Sequence, residues 1–260
     1  MGRVADYAAA MRRNPVVLMY HGFAVGPRED PVNQFVTQDA LRAQLQRLAS
    51  GRWRLLDLDG YLAACDARFA GRCALMTVDD AMQSFGQVGH PVFAEAGAPT
   101  VLFVAAGTIG GTTAWMSHLP DEPVLDAEAL RALAGDGVEI GSHSFDHPEM
   151  IGLSDAELQR QVLGSRDRIA DLTGFRPRAF AYPYGAFDER ARRAVERAGY
   201  VVGFSVHRDA GIFARSRVDV NATDTTDSLR LKLLPAYRVL WRASRALPPA
   251  RRMVRRLVTR

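Results

Sequence analysis

The sequence predicts a single α/β domain whose strands form a closed or nearly closed barrel of about seven strands. Short apolar runs alternate with amphipathic stretches, in strand-then-helix order, along the 260 residues. No internal repeat and no linker rich in Pro, Ser or Gly divides the chain, which favours one domain over two. With 48% apolar and 24% charged residues, the composition is that of a globular protein with a buried core.

The predicted strands are short apolar runs, rich in β-branched and aromatic residues and bounded by polar or turn-forming positions. They lie at Pro15–Tyr20, Ala74–Val78, Thr100–Val104, Val138–Gly141, Ala179–Tyr182 and Tyr200–Val206, with a weaker one at Arg217–Val220. A doubly wound open sheet is the alternative to a barrel. The loops after the strands lack both GxGxxG and GxxxxGK[ST], however, so nucleotide binding has no support.

The predicted helices have apolar residues spaced three and four positions apart. They lie at Gln38–Ala49, Asp57–Cys65, Gly86–Glu95, Ala127–Ala134, Asp155–Leu172 and Glu189–Ala198. Ser154 followed by Glu157 has the spacing of a capping box, which predicts the start of the fifth helix.

The net charge of +4 hides an asymmetry between the body of the chain and its C-terminal end. Residues 229–260 contain ten Lys or Arg and no Asp or Glu, while residues 1–228 contain 23 basic and 29 acidic groups, a net charge of −6. We therefore divide the chain into a domain at 1–228 and a basic amphipathic segment at 229–260. An acidic body without a basic stripe argues against nucleic-acid binding.

Two interpretations of the basic segment stay open. Arginines alternate with Leu, Tyr and Trp241, a pattern that suits peripheral contact with an anionic membrane surface. The alternative is a helix that closes the barrel, followed by a solvated arginine-rich end. The N-terminus lacks the apolar run of a secretory signal, so we expect a cytoplasmic protein, with peripheral contact at the inner face of the membrane under the first interpretation.

Polar residues cluster directly after four of the predicted strands. These clusters are Tyr20-His21-Gly22, Thr77-Val78-Asp79-Asp80, Ser142-His143 and Tyr184-Gly185. In an α/β barrel the carboxyl ends of the strands build the active site, so four such clusters are expected to meet in one cleft.

His143, His147 and one carboxylate of the Asp79-Asp80 pair together have the composition of a catalytic metal site. Two histidines and a carboxylate provide three ligands and leave a position open for water, as catalytic zinc requires. Either the aspartate pair or the histidine pair alone is weaker evidence for a metal site. Asp79-Asp80 alone is typical of a solvated turn or helix cap. His143 and His147 alone are typical of a surface coincidence.

Three motifs in order, TVDDA, GSHSFDH and FAYPYG, resemble those of the polysaccharide deacetylase family, the NodB-homology proteins of carbohydrate esterase family 4. The usual forms are TFDDG, H[ST]xxH and RxPYG. The opening VVLMYHGF resembles the N-terminal YH segment of the subgroup that carries the FAYPYG variant. The resemblance spans about Val16 to Val220 and implies a deformed (β/α) barrel, which we expect to have about seven repeats.

Carried over onto this chain, the resemblance implies that Asp80, His143 and His147 bind one divalent ion. We expect zinc, with cobalt and nickel as alternatives for this ligand type. It further implies that Asp79 is the general base and that the backbone N–H of Tyr184 stabilises the oxyanion. The expected reaction removes an N-acetyl or related acyl group from an amino sugar of a polysaccharide or glycolipid precursor.

The sequence departs from the family pattern at several places. Ala81 stands where the first motif usually ends in Gly, Ala181 stands where the third motif usually has Arg, and no LxxH motif supplies the usual catalytic histidine. His21, from the YH segment, could serve as the general acid, although a strand-end histidine can also be structural. Arg217 could supply the missing positive charge near Asp79, although a structural ion pair is the simpler alternative.

These departures leave competing functions open. One is a catalytically weak or inactive carbohydrate-binding protein that kept the barrel. Another keeps the chemistry but changes the leaving group, as in a sugar deformylase or ester deacylase. The joint presence of Asp79, Asp80, His143 and His147 favours the deacetylase.

Overall fold

A computed structural model describes residues 15–66, 71–116 and 121–237. Its strands are β1 Val16–Tyr20, β2 Gly22–Ala24, β3 Phe35–Thr37, β4 Arg54–Leu56, β5 Cys73–Val78, β6 Thr100–Val104, β7 Glu139–Ser142, β8 Ala179–Ala181, β9 Val202–Ser205, β10 Arg215–Ser216 and β11 Val218–Asp219. Its α-helices are α1 Gln38–Ser50, α2 Leu58–Asp66, α3 His90–Glu95, α4 Ala127–Gly135, α5 Asp155–Gln159, α6 Ser165–Thr173, α7 Glu189–Arg197 and α8 Thr226–Lys232.

The main sheet is parallel throughout and nearly closes into a barrel. Its strand order is β10-β9-β8-β7-β6-β5-β1-β11, and β4 pairs with the first half of β5. One run of chain joins the two edges, because β10 pairs with β9 while β11, two residues later, pairs with β1. Arg217 is the residue between these two pairings, at the seam of the barrel.

The predicted barrel is confirmed, and each predicted strand position contains a strand. Ends differ by one or two residues, and the weak last strand predicted at Arg217–Val220 contains β11. The sequence analysis missed β10, which has two residues, and β2, β3 and β4, which have three each. Segments this short give little pattern to recognise unless they lie in a longer apolar run, as β8 does within Ala179–Tyr182.

The barrel strands bury both of their faces, as strands covered by helices must. Along β1, Leu18 and Tyr20 pack outward in the larger core cluster, with α1. The alternate residue Val17 packs with Leu75 and Phe103 in a second cluster inside the barrel. Successive side chains of a strand point to opposite faces. A polar residue that lies beside Val17 on a neighbouring strand therefore also points toward the barrel axis.

Two of the predicted helices contain a π-helical turn that the sequence did not indicate. Phe85–Gly89 is π-helical before α3, and Arg160–Gly164 is π-helical between α5 and α6. The predicted start of the fifth helix is confirmed, because Ser154 and Glu157 form both hydrogen bonds of a capping box.

Helix α8 crosses the boundary predicted at residue 228. Leu229 and Lys232 are buried, and Lys232 Nζ donates to a carboxylate oxygen of Asp224 at 2.6 Å. The first residues of the basic segment thus pack on the barrel, while residues 238–260, with Trp241, lie outside the described residues. Among the helices that the structure describes, none combines the length and apolar character needed to cross a bilayer.

Candidate metal and catalytic site

The predicted site residues lie together at the carboxyl ends of the barrel strands. His21 follows β1, Asp79 and Asp80 follow β5, His143 follows β7 and Tyr184 follows β8. Because all of these strands are parallel, their carboxyl ends open on the same side of the barrel.

Asp80, His143 and His147 each direct one ligand atom to a common point. Their ligand atoms all lie within 4.8 Å of one another, and the three residues are buried. Asp80 Oδ1 is 3.3 Å from His147 Nε2 and 3.7 Å from His143 Nε2. This is the predicted set of two imidazoles and one carboxylate.

The backbone of Asp80 turns its carboxylate into this cluster. Strand β5 ends at Val78, and the next residues Asp80 and Ala81 have φ values of 70° and 48°, in the left-handed region. Ala81 stands where the family pattern has Gly, and its φ explains that preference, since a Cβ in this region is unfavourable. A hydrogen bond from Leu125 N–H to the Ala81 carbonyl helps to hold the turn.

His143 is held as a neutral imidazole with one nitrogen free for a ligand. Its Nδ1 lies 2.7 Å from the carbonyl oxygen of Ala181, which can only accept, so Nδ1 carries the proton. Nε2 therefore presents a lone pair to the cluster. Burial lowers the pKa of His143 to about 4, against the opposing charge of Asp79, so the ring is neutral at neutral pH.

Asp79 is buried and paired with Arg217 across the barrel. Two hydrogen bonds join them, Arg217 Nη1 to Asp79 Oδ1 at 2.6 Å and Arg217 Nη2 to Oδ2 at 2.7 Å. The two side chains are 3% and 0% exposed, respectively. Burial opposes ionisation of Asp79, but the charge and hydrogen bonds of Arg217 outweigh it and hold the pKa of Asp79 well below the usual range.

Arg217 places a positive charge against Asp79, although the third motif lacks its usual arginine. Ala181, which replaces that arginine, is buried and lies on β8, whereas Arg217 approaches Asp79 from the seam. Arg217 Nη1 also donates to Thr77 Oγ1 at 3.3 Å. The guanidinium is therefore fixed from more than one side.

His21 lies beside Asp79. The pairing of β1 with β5 sets Met19 opposite Thr77 and Tyr20 opposite Val78, so His21 comes opposite Asp79 in the same register. His21 is half-buried. Burial, the largest effect on both carboxyl groups, raises the pKa of Asp79 and of Asp80, and their other partners lower it. His21 adds a smaller lowering effect on both pKa values.

Tyr184 lies in a tight turn over His147. Tyr184 and Gly185 have φ values of 58° and 65°. A Cβ at Gly185 would come within 2.6 Å of Val206 N, which accounts for the glycine of the FAYPYG motif. The Tyr184 ring is 56% exposed and meets the His147 ring edge-on, with centroids 4.8 Å apart.

Trp115, which the sequence analysis did not single out, covers the other side of His147. The two rings stack at a centroid distance of 4.8 Å and an angle of 24°. A lone tryptophan in the loop after β6 belongs to no periodic pattern and no motif, so nothing in the sequence distinguishes it.

An unpartnered atom at the centre of this site fits a bound cation. Asp80 Oδ1, which faces Nε2 of His143 and of His147, is buried and has no hydrogen-bond partner among the described residues. Buried polar atoms are normally satisfied, so each such exception needs a ligand or another explanation. Neutral imidazole and carboxylate are donors that zinc, cobalt and nickel accept.

A family model described as polysaccharide deacetylase matches residues 66–203 of the chain. The chain belongs to the polysaccharide deacetylase family. The matched region contains Asp79, Asp80, His143, His147 and Tyr184, whereas His21 and Arg217 lie outside it. The roles of those two residues therefore depend on the geometry of this protein.

Individual members of the polysaccharide deacetylase family cover this chain to different extents. YxkH of Bacillus subtilis, named as a polysaccharide deacetylase, is 25% identical over 212 residues, which are 79% of this chain and 71% of that protein. The peptidoglycan-N-acetylglucosamine deacetylase PgdA of Listeria monocytogenes is 33% identical over 96 residues, 34% of this chain and 20% of PgdA.

The solved structures confirm the barrel. The deacetylase PplD of Streptococcus pyogenes, solved in complex with acetate, superposes with a TM-score of 0.73 over 85% of this chain and 98% of PplD. IcaB of Ammonifex degensii superposes with a TM-score of 0.68 over 88% of this chain and 97% of IcaB. Sequence identity in these pairs is 20% and 21%, so the likeness concerns the fold.

Proposed function

We propose that this protein is a metal-dependent hydrolase that removes an N-acetyl or related acyl group from an amino sugar of a polysaccharide or glycolipid precursor. The convergence of Asp80, His143 and His147 beside the Asp79–Arg217 pair carries the proposal. The peptidoglycan deacetylase named among its relatives supports an acetylated amino sugar as the substrate class.

Asp80, His143 and His147 would hold one divalent ion, and we propose zinc, with cobalt or nickel as alternatives. When bound, such an ion supplies Lewis acidity, which polarises a carbonyl oxygen and makes water more acidic. The neutral state of His143 suits this role, since only the unprotonated nitrogen is a ligand.

Asp79 is proposed as the general base. Its carboxylate lies next to the three candidate ligands and stays ionised because Arg217 compensates its burial. It would accept a proton from the attacking water at one of its oxygens. Arg217 would act through Asp79, by fixing the orientation and the charge of that carboxylate.

His21 and Tyr184 complete the proposed chemistry. Collapse of the tetrahedral intermediate requires a proton on the departing amine, and His21, which follows the neighbouring strand β1 and lies beside Asp79, would donate it. The backbone N–H of Tyr184, in the turn at the mouth of the barrel, would donate a hydrogen bond to the oxyanion.

An inactive carbohydrate-binding protein was the main alternative because the third motif lacks its arginine. That reason is weakened by Arg217, whose guanidinium makes two hydrogen bonds to the proposed base. Ester deacylation and deformylation use the same groups. They differ from the leading proposal only in the leaving group or the size of the acyl group.

We further propose that the basic segment makes peripheral contact with an anionic membrane at the cytoplasmic face. Its ten Lys or Arg residues and absent Asp and Glu support attraction to anionic lipid. Leu231 and Leu234 support it too, since they are 43% and 47% exposed on the outer side of the C-terminal region. Such a location would suit a lipid-linked sugar substrate.

The decisive experiment incubates the purified protein with a panel of N-acetylated and N-formylated amino-sugar oligosaccharides and with O-acetylated sugars. We expect release of acetate from the N-acetylated members, loss of this activity with a chelator, and recovery on adding zinc. Release from the formylated or ester substrates alone would favour the corresponding alternative. Sugar binding without hydrolysis at any metal load would favour the inactive reading.

A further inference from the structure

The loop that carries both candidate histidines has an unfavourable backbone. Ser144 and His147 have φ values of 68° and 62°, in the region that residues other than Gly rarely adopt. Within the loop, the hydroxyl of Ser144 accepts a hydrogen bond from His147 N–H at 3.0 Å. One internal hydrogen bond is little to hold two left-handed residues, so contacts from elsewhere must maintain this conformation.

Backbone N–H groups of Ala106 and Gly107 supply two of these contacts, at the carbonyls of Ser144 and Phe145. The side chain of Gln161 supplies three more. Its Oε1 accepts hydrogen bonds from the backbone N–H groups of Phe145 and Asp146, both at 2.9 Å. Its Nε2 donates to Asp146 Oδ2 at 2.7 Å. Gln161 is 6% exposed, so these bonds are shielded from water.

Gln161 lies at a distinctive place in the following helix. It belongs to the π-helical turn Arg160–Gly164, on the buried side that also carries Leu158 and Val162. The neighbouring Arg160 binds the same Asp146 carboxylate from outside, but that pair is about half-exposed. A π-helical turn inside an α-helix is uncommon and recurs at functional sites.

We propose that Gln161 is a positioning residue for the metal site. This inference rests on the proposed function and deepens it. Gln161 holds the backbone of Phe145 and Asp146 so that His147 turns back toward His143 and Asp80. It thereby sets the distance between the two imidazoles before any ion binds, and a preset site binds its ion more tightly.

The test compares zinc affinity in Gln161→Met and Gln159→Met. Methionine has a similar length but makes none of the hydrogen bonds, and Gln159 is an exposed glutamine two residues earlier on the same helix. We expect zinc affinity, measured by competition with a chromophoric chelator, to fall about 10- to 100-fold in Gln161→Met. Gln159→Met should bind zinc as the wild type does.

Cobalt provides a readout that a merely structural role would not change. The visible absorption of the cobalt-loaded protein reports the arrangement of its ligands, so it should change in Gln161→Met and not in Gln159→Met. The circular dichroism of the metal-free proteins shows whether both variants are folded.

Exchanging the amide of Gln161 and the carboxylate of Asp146 provides a second test, which is needed if Gln161→Met fails to fold. Gln161→Glu alone sets a second carboxylate against Asp146 and should weaken zinc binding. Adding Asp146→Asn restores the hydrogen bond between the two side chains, because the amide at position 146 then donates to the carboxylate at position 161. That carboxylate still accepts from the backbone N–H groups of residues 145 and 146. The double variant should recover most of the affinity, because the contact it loses with Arg160 is exposed and contributes little.

Two results would overturn the proposal. One is wild-type zinc affinity and an unchanged cobalt spectrum in a folded Gln161→Met protein. The other is a double variant that binds zinc no better than Gln161→Glu alone. A wild-type protein that binds no zinc would instead reject the proposed function itself, so the two failures are distinguishable.

Discussion

Arg217→Met tests how the proposed base is kept ionised. The substitution removes two charge-assisted hydrogen bonds to Asp79, at 2.6 and 2.7 Å, and leaves a carboxylate that is buried beside Asp80. Such hydrogen bonds contribute about 1.5 to 3 kcal/mol each, and one pKa unit corresponds to about 1.4 kcal/mol. The pKa of Asp79 should therefore rise by about 2 to 4 units, because burial is no longer opposed by the guanidinium.

The assay is the pH dependence of kcat/KM for acetate release. The acid limb should move to higher pH in Arg217→Met, with activity recovering on its alkaline side, while Arg217→Lys should show a smaller shift. Arg215→Met is the matched control, because Arg215 lies on the same run of chain but approaches Asp209, at 3.8 Å. An acid limb in Arg217→Met at the same pH as in the wild type would refute the reasoning.

The pH dependence of stability gives an independent check that pairing with Arg217 lowers the pKa of Asp79. The folded-state pKa of Asp79 is lowered, so its pairing stabilises the protein above the unfolded pKa of about 3.9 and this contribution is lost as the pH falls through the folded value. Breaking a buried pair by removing one partner costs about 3 to 5 kcal/mol. Arg217→Met should lower Tm most at neutral pH, and the gap to the wild type should narrow only below about pH 4, as the pH falls toward the folded pKa of Asp79.

Four other outcomes are expected. His143→Ala and His147→Ala should each lose most of the bound ion, which elemental analysis would show against about one equivalent in the wild type; full occupancy in both would exclude them as ligands. Asp79→Asn should lower kcat by about 10²- to 10⁴-fold while metal content stays the same, and normal turnover would remove the base assignment. His21→Asn should keep fold and metal but lose the alkaline limb of the pH–rate profile, because the variant lacks the proposed general acid; a retained limb would make His21 structural. Deleting Leu247–Arg260 should weaken sedimentation with anionic vesicles at low salt, and equal sedimentation of both proteins would leave only the packing role.

The barrel and the clustering of the motif residues could be predicted because both follow from periodicity and strand direction. The barrel strands are recognisable in the sequence as short, nearly continuous apolar runs, because both of their faces are buried. Parallel strands in turn bring Asp79, Asp80 and His143 to one end of the barrel. The resemblance to the family then predicted what each residue would do.

Other features of the site leave little trace in the sequence. The sequence indicated a weak strand at Arg217–Val220 and a positive charge near Asp79, but not the two-residue strand β10. That this run of chain pairs with both edges of the sheet, with Arg217 at the seam, required the three-dimensional structure. Gln161 occupies a buried position of an otherwise apolar helix face, and no local signal marks the π-helical turn. The position of Trp115 beside His147 depends on the path of a long loop, which helix and strand propensities do not determine.

The seam of the barrel imposes an order on assembly during synthesis. Asp79, Asp80, His143 and His147 all belong to the part of the chain that precedes Arg215, whereas the guanidinium that pairs with Asp79 arrives with the last strand. A nascent chain that ends before this strand has every candidate ligand but lacks the guanidinium that pairs with Asp79. If Asp79 is the base that we propose, the segment that closes the wall of the barrel also supplies the charge that keeps this carboxylate ionised, and a molecule opened at the seam would lose activity.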